Sequence, residues 1–229
     1  MTGLSRLPKP LSRVELAAKE LVSLIQTQPN LQTLPSERSL ASQLGLSRNA
    51  LREAIRQLEL QGLLKIQQGK PTRIVQNLHQ PITGSLSLLV LSPKARLVQL
   101  FELREILEPK AAALAATRAT ASDLKELHAA SSLMSEAGSN AEAVTADIAF
   151  HRAIAKASRN QILLLVLESL IEPLQEAHSK GFQVLGPRDP HPLQMHLRIL
   201  NAIATRNPSD AEMAMLEHLT HSKKILRIP

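Results

Sequence analysis

The chain has no cysteine, no tryptophan and no tyrosine, and only three phenylalanines in 229 residues. Without cysteine there are no disulfides, and thiolate metal sites are excluded. That suits a reducing cytoplasm, the expected location. The N-terminus lacks the continuous apolar stretch of a signal peptide, and no run approaches the roughly 18 apolar residues of a membrane span. The longest apolar-rich stretch, Ile162 to Leu167, ends at Glu168, so no membrane partner is expected. Phe101, Phe150 and Phe182 all lie in the later part of the chain. Proteins that bind single strands stack bases on aromatic platforms. A nucleic-acid partner of the first third is therefore expected to be a duplex.

Hydrophobic content of 44% with 21% charged residues is ordinary for a globular protein. The length allows two small domains, each able to bury a core. The net charge of +7 is unevenly spread. Met1 to Asn77 holds eleven Lys and Arg against five Asp and Glu, whereas Leu78 to Pro229 holds sixteen against fifteen. The basic excess belongs to the first third and points to a polyanion bound there.

Residues 1–10, with Pro8 and Pro10, read as a loose arm. Leu11 to Gln28 has helical apolar spacing at Val14, Ala17, Leu21, Leu24 and Ile25. Ser36 is a good N-cap for a helix from Glu37 to Leu44, with Gly45 at its C′ position. Ser47 caps a second helix, Arg48 to Gln61, ended by Gly62. Leu63 to Gln67 and Thr72 to Val75 are strand candidates around the turn Gln68-Gly69-Lys70, and Pro71 suits only an edge strand. Asn77 to Ser92, with Pro81 and Gly84, reads as a linker. Beyond it the spacing predicts helices near 94–117, 121–136, 140–157, 161–179, 192–206 and 210–226. Pro173 is expected to kink or end the fourth of these. Ser209 and Glu212 read as a capping box for the last. No internal repeat is visible. The expected fold is mainly α: a helix-turn-helix with a small β-hairpin at 1–77, a linker at 78–92, and an all-helical bundle at 93–229.

Arg48, Arg52 and Arg56 recur every four residues and cover about 80° of the second helix, while Leu51, Ile55 and Leu58 lie on a separate, core-facing arc. A cationic stripe on a short helix after a turn suits the major groove of DNA. Arginine pairs bidentately with guanine, and asparagine with adenine, so Asn49 joins the stripe as a candidate base reader. Ser47 and the free N–H groups beside it suit a phosphate. Arg38, one turn into the preceding helix, is placed to reach backbone or base. Gly69 and Lys70, at the hairpin tip, are placed to approach the minor groove or a phosphate.

The segment resembles the winged helix-turn-helix of the GntR family of bacterial transcription regulators. The resemblance rests on LPSER at 34–38, LA at 40–41, LGLSR at 44–48, LREAI at 51–55, Leu58 and GLL at 62–64. It implies that Arg38, Arg48 and Arg52 contact operator DNA and that the wing at Gly69 enters the minor groove. Arg56 comes from the helical stripe alone. The loop before LPSER lacks the family's usual glycines, and Pro71 stands where a second wing glycine is common.

Seven histidines follow His79. Three share apolar faces: His151 with Val144 and Ile154, His196 with Leu193, Leu200 and Ile203, and His218 with Ala211, Met215 and Ile225. Asp147 precedes His151 by four residues and points the same way. One carboxylate and three imidazoles aimed inward from three helices suit a divalent metal. Taken singly, each histidine is as well explained as a hydrogen-bonded core residue. His128, His178 and His221 read as surface or structural. Arg104 shares a stripe with Leu97, Phe101 and Ala111, so it points inward and needs a partner. Glu108, four residues on, is one choice and a bound ligand the other.

Residues 97–226 resemble the ligand-binding (FCD) domain of the FadR subfamily of GntR regulators. The matching stretches are LFELREILEPKAAALAA at 100–116, DIAFHRAIAKASRN at 147–160, HLRILNAI at 196–203 and AMLEHL at 214–219. The resemblance implies one divalent metal per chain on Asp147, His151, His196 and His218, with zinc ahead of nickel or manganese. It also implies a small organic-acid effector. Met195, where an acid often precedes the histidine, and Arg159, where glycine is usual before the asparagine, depart from the pattern and bear on the effector pocket. The combined expectation is a homodimeric, effector-responsive repressor on double-stranded operator DNA, not an enzyme. The alternatives are a metal-dependent hydrolase, which lacks an evident general base here, and an architectural DNA binder with a purely structural helical domain.

Overall fold

A computed structural model describes residues 11–75, 77–89, 92–185 and 190–228, without the side chains at 87, 172, 176–178 and 180–185. The expected loose arm at 1–10 lies outside the described residues. The chain divides into two compact units, Met1–Pro81 and Ile82–Pro229. The fold is mainly α, with one small sheet in the first unit.

The first unit opens with α1 (Arg13–Thr27), capped by Ser12 in a reciprocal box with Glu15. Ala17, Leu21 and Ile25 form its buried stripe. Ser36 caps α2 (Glu37–Leu44), which ends at Gly45 with φ 61°. Ser47 caps α3 (Arg48–Leu60) by accepting the Ala50 N–H. Leu51, Ala54, Ile55 and Leu58 of α3 are buried against α1, Leu34, Leu40 and Leu64. Gly62 turns the chain with φ 77°, and a Cβ built there would overlap the Asn77 backbone carbonyl.

The hairpin β1 (Leu64–Lys65) and β2 (Arg73–Ile74) is antiparallel, with Leu64 opposite Ile74. Its strands are shorter than the 63–67 and 72–75 read from sequence. The tip closes through Lys70 N–H to the Gln67 carbonyl at 3.1 Å, with Gly69 at φ 72°. The far side of β2 is also occupied. Leu34 N–H donates to the Thr72 carbonyl (2.9 Å), and Ile74 N–H donates to the Gln32 carbonyl (3.0 Å). β2 is thus bonded on both sides. Pro71 is tolerated because it precedes the strand, not because the strand is an edge.

The segment read as linker is helical: α4 spans His79–Leu89, and the unit boundary falls within it. Its proline sits in the first turn, where a missing N–H costs little. Leu86 packs on the second unit's core, and Thr83 Oγ1 donates to the buried Ser169 carbonyl at 3.0 Å. The spacing of Ile82, Leu86 and Leu89 carried this signal beneath the proline and serines.

The second unit is a bundle of α5 (Pro93–Arg118), α6 (Ala121–Glu136), α7 (Asn140–Ala157), α8 (Gln161–Leu185), α9 (Pro190–Ala204) and α10 (Pro208–Ile225). The long α5 packs against α7, α8, α9 and α10. Ala111, Ala112, Ala115 and Ala116 of α5 and Ala211 and Ala214 of α10 are buried. Small side chains there let two helix axes approach closely. α8 runs on through Pro173 to Leu185, so the proline does not end it. The cap of α10 is Asn207, which accepts the Asp210 N–H, with Pro208 at the first helical position. Ser209, the cap read from sequence, lies inside the helix.

Three arginines tie helix ends together. Arg118 donates to the Ser158 carbonyl after α7, and Arg206 donates to the Ala116 and Ala119 carbonyls at the end of α5. Arg159, at φ 55°, reaches Asp123 Oδ2 at 2.5 Å. A left-handed backbone explains why glycine suits that position. No described helix is long and apolar enough to cross a membrane.

Candidate metal centre and nucleic-acid interface

In the first unit, Arg38, Ser47, Arg48, Asn49, Arg52, Arg56, Gly69 and Lys70 are all exposed. The three α3 arginines stand away from the buried leucine arc, as the four-residue spacing requires. Among the described residues, no atom lies within 4 Å of a Cβ built at Gly69, so the backbone at the hairpin tip is open to close approach. One neighbour was missed from sequence. Glu37, in the first turn of α2, accepts from Arg52 Nε at 2.6 Å across the helix-turn-helix.

In the second unit, the four metal-site candidates come together. Asp147 and His151 project from α7, His196 from α9 and His218 from α10, with one ligand atom of each within 4.8 Å of all the others. His151 Nε2 lies 3.1 Å from His218 Nε2, His196 Nε2 lies 3.2 Å from Asp147 Oδ1, and His151 Nε2 lies 3.9 Å from the same oxygen. Ligands about 2.0–2.1 Å from a shared ion stand roughly 2.9–4.2 Å apart. The three distances fall in that range, and the 4.8 Å outer limit exceeds it by only about 0.6 Å, so a small closure of the side chains lets the donor set fit a single divalent cation. Three neutral imidazoles and a carboxylate suit zinc, nickel or manganese.

The protonation pattern also fits. Burial pushes the Glu108 carboxyl up, but the charge of Arg104, the His151 ring and their hydrogen bonds outweigh it and hold it well below the usual range. An ionised Glu108 can only accept. His151 Nδ1 therefore donates the 2.6 Å contact to Glu108 Oε2, and when the ring is neutral, as a metal ligand must be, its Nε2 lone pair faces the cluster. Burial is also the main reason that His218 is held well below 6.5, with His196 and His151 adding to it against the pull of Asp147. His218 is thus neutral and ready to donate a lone pair. His196 stacks on Phe150, ring centroids 4.2 Å apart and planes 15° from parallel, which fixes its orientation.

Arg104 pairs with Glu108, one of the two choices open from the sequence. The chain Arg104–Glu108–His151 was not legible there, because no spacing rule reports a contact from α5 to α7. Arg104, Glu108 and His151 also line a recess with Arg152, Glu168 and aliphatic side chains of α7 and α8. Its volume of about 30 Å³ exceeds the ~10–15 Å³ that admits a water. Neither Met195 nor Arg159 lines it. His128 is exposed, and His221 is half-buried with its ring 4.0 Å from that of His191. The His178 side chain lies outside the described residues.

Residues 14–74 match the bacterial regulatory proteins of the gntR family, and residues 99–221 match the FCD domain. The HTH-type transcriptional regulator LutR of Bacillus subtilis is 34% identical, over 84% of this chain and 90% of that protein. The Glc operon transcriptional activator of Escherichia coli is 33% identical, over 85% and 80%. The HTH-type transcriptional repressor NanR of Escherichia coli is 28% identical, over 92% and 84%. Among solved structures, a GntR protein of Streptococcus agalactiae matches with a TM-score of 0.78 at 28% identity, over 92% of this chain and 99% of that one. These relatives are regulators of transcription, so the hydrolase alternative falls. The chain belongs to the gntR family of bacterial regulatory proteins: it is a DNA-binding transcription regulator with an N-terminal winged helix-turn-helix and a C-terminal FCD domain.

Proposed function

We propose that this regulator is of the FadR subfamily and that one divalent metal and a small organic acid, bound in the helical unit, set its hold on operator DNA. Asp147, His151, His196 and His218 hold the metal, zinc ahead of nickel or manganese. A metal that takes five or six ligands keeps coordination positions beyond these four, to which an acid oxygen can bind. Arg104, which lines the recess while paired to Glu108, is the second contact for the acid. In the reader, Arg48, Asn49, Arg52 and Arg56 face bases or phosphates in the major groove, Arg38 and Ser47 hold the backbone, and Gly69 and Lys70 enter from the wing. The protein acts in the cytoplasm as a homodimeric repressor on a palindromic site. The relatives include one named an activator and one named a repressor; repression is the sign proposed for this chain.

The observation that carries the reading is the convergence of four ligand atoms within 4.8 Å, with Glu108 holding one ring in the binding tautomer. A thermal-shift screen of organic acids, with and without added zinc, nickel or manganese, tests it, because a bound ligand raises apparent stability. Metal should raise the melting temperature, and one or more acids should raise it further only when metal is present. If neither metal, chelator nor acid moves the melting temperature or the affinity for DNA, the architectural alternative takes its place.

A further inference from the structure

Glu37 is an acidic side chain on the basic face of the reader, and it contacts Arg52 through one atom, Nε, at 2.6 Å. The two residues are fifteen apart in sequence and come from α2 and α3, so the contact spans the turn. Both are open to solvent, with side-chain exposures of 60% for Arg52 and 38% for Glu37. An exposed pair of this kind adds little to stability. A carboxylate near DNA phosphates also repels them. Its effect is on direction. A guanidinium has five N–H donors in one plane. With Nε–H engaged, the guanidinium is restricted and the two terminal nitrogens form the remaining fork. That end-on fork is one that matches O6 and N7 of guanine.

We propose that Glu37 is a positioning residue for specificity: it aims the terminal fork of Arg52 at a base edge and gives up general affinity for DNA in exchange for discrimination. The proposal rests on the reading of α3 as the recognition helix. Specificity is a difference of affinities, so the effect belongs in the ratio of specific to random binding rather than in binding as such.

The test selects duplexes from a pool randomised over about 20 base pairs, using the full chain as wild type, Arg52→Ala, Glu37→Ala and Glu37→Gln. Thermal unfolding checks that each variant is folded. The base position whose preference is lost in Arg52→Ala marks the Arg52 contact. In Glu37→Ala the preference at that same position should fall about fivefold or more, the low end of what one bidentate pair discriminates. Affinity for random duplex should be unchanged or raised. Glu37→Gln, whose amide oxygen still accepts from Nε, should lose less than Glu37→Ala. An unchanged preference overturns the proposal, and so does an equal fall on selected and random duplex. Loss at a different position overturns it as well, because Glu37 would then be touching a base itself. If wild type enriches no sequence, the reading of α3 fails first, and that result is distinct from the others.

Discussion

Glu108 touches both Arg104 and His151, so its removal acts on two groups. Glu108→Ala leaves a buried guanidinium unpaired, which should cost about 3–5 kcal/mol of stability. It also frees the His151 tautomer, which should weaken metal binding by roughly 10–100-fold. Denaturant unfolding checks the first outcome and a metal titration the second. Arg52→Ala should cost about 1–3 kcal/mol on a selected duplex and relax its specificity, while a phosphate contact would lose equally on random DNA. The pH dependence follows from His218. Its folded pKa is depressed, chiefly by burial, so between that value and 6.5 the unfolded chain binds the extra proton. Stability without metal should therefore rise as pH climbs to about 6.5 and gain nothing further from this group above it. Glu108 adds no slope in that window, because its depressed pKa confines its titration to below 4.5. Unfolding curves at pH 5.5 and 7.5 should show the difference.

At the scale of elements, single residues at chain turns decide how helices meet. Arg206 stands at φ 59° and donates to two carbonyls at the end of α5. Arg206→Ala loses those bonds and keeps the strained backbone, at about 1–2 kcal/mol for an exposed charged donor. Arg206→Gly loses the same bonds and relieves the strain, so it should be the milder change by about 1 kcal/mol. Gly45 and Gly62 both have positive φ, but only Gly62 is roofed by backbone. Gly62→Ala should therefore cost clearly more than Gly45→Ala, as read by the melting of the first unit. Helix periodicity and caps made most of these elements legible: Ser36, Gly45 and Ser47 stand where the sequence put them. The misses share a cause. Pro81 read as part of a linker and Pro173 as a kink or an end, yet Pro81 lies in a first turn and the helix that holds Pro173 continues past it, so it does not end there. Asp147, His151, His196 and His218 were visible through their faces. Glu108 and Phe150, which orient them, act across helices, and a one-dimensional pattern does not report that.

At the scale of the molecule, the proposed metal ligands and the DNA reader belong to different units. A metal at 100 times its dissociation constant should add about 2.7 kcal/mol to the unit that binds it. Calorimetry with added zinc and then with chelator should move the transition of Ile82–Pro229 and leave that of the reader in place. Asp147→Ala should abolish the movement.

The passage of Asn77 over Gly62 bears on where the chain can be cut. The last strand bond of the reader, Val75 N–H to the Leu63 carbonyl at 3.0 Å, lies just before that crossing, and the Asn77 carbonyl then accepts from Gln80 N–H at 3.1 Å. A fragment ending at Val75 would uncover the Gly62 backbone and leave the turn after α3 without its roof. One ending a few residues beyond Asn77 keeps it. Proteases offered the intact protein should accordingly spare this crossing, although it lies close to the junction of the two units.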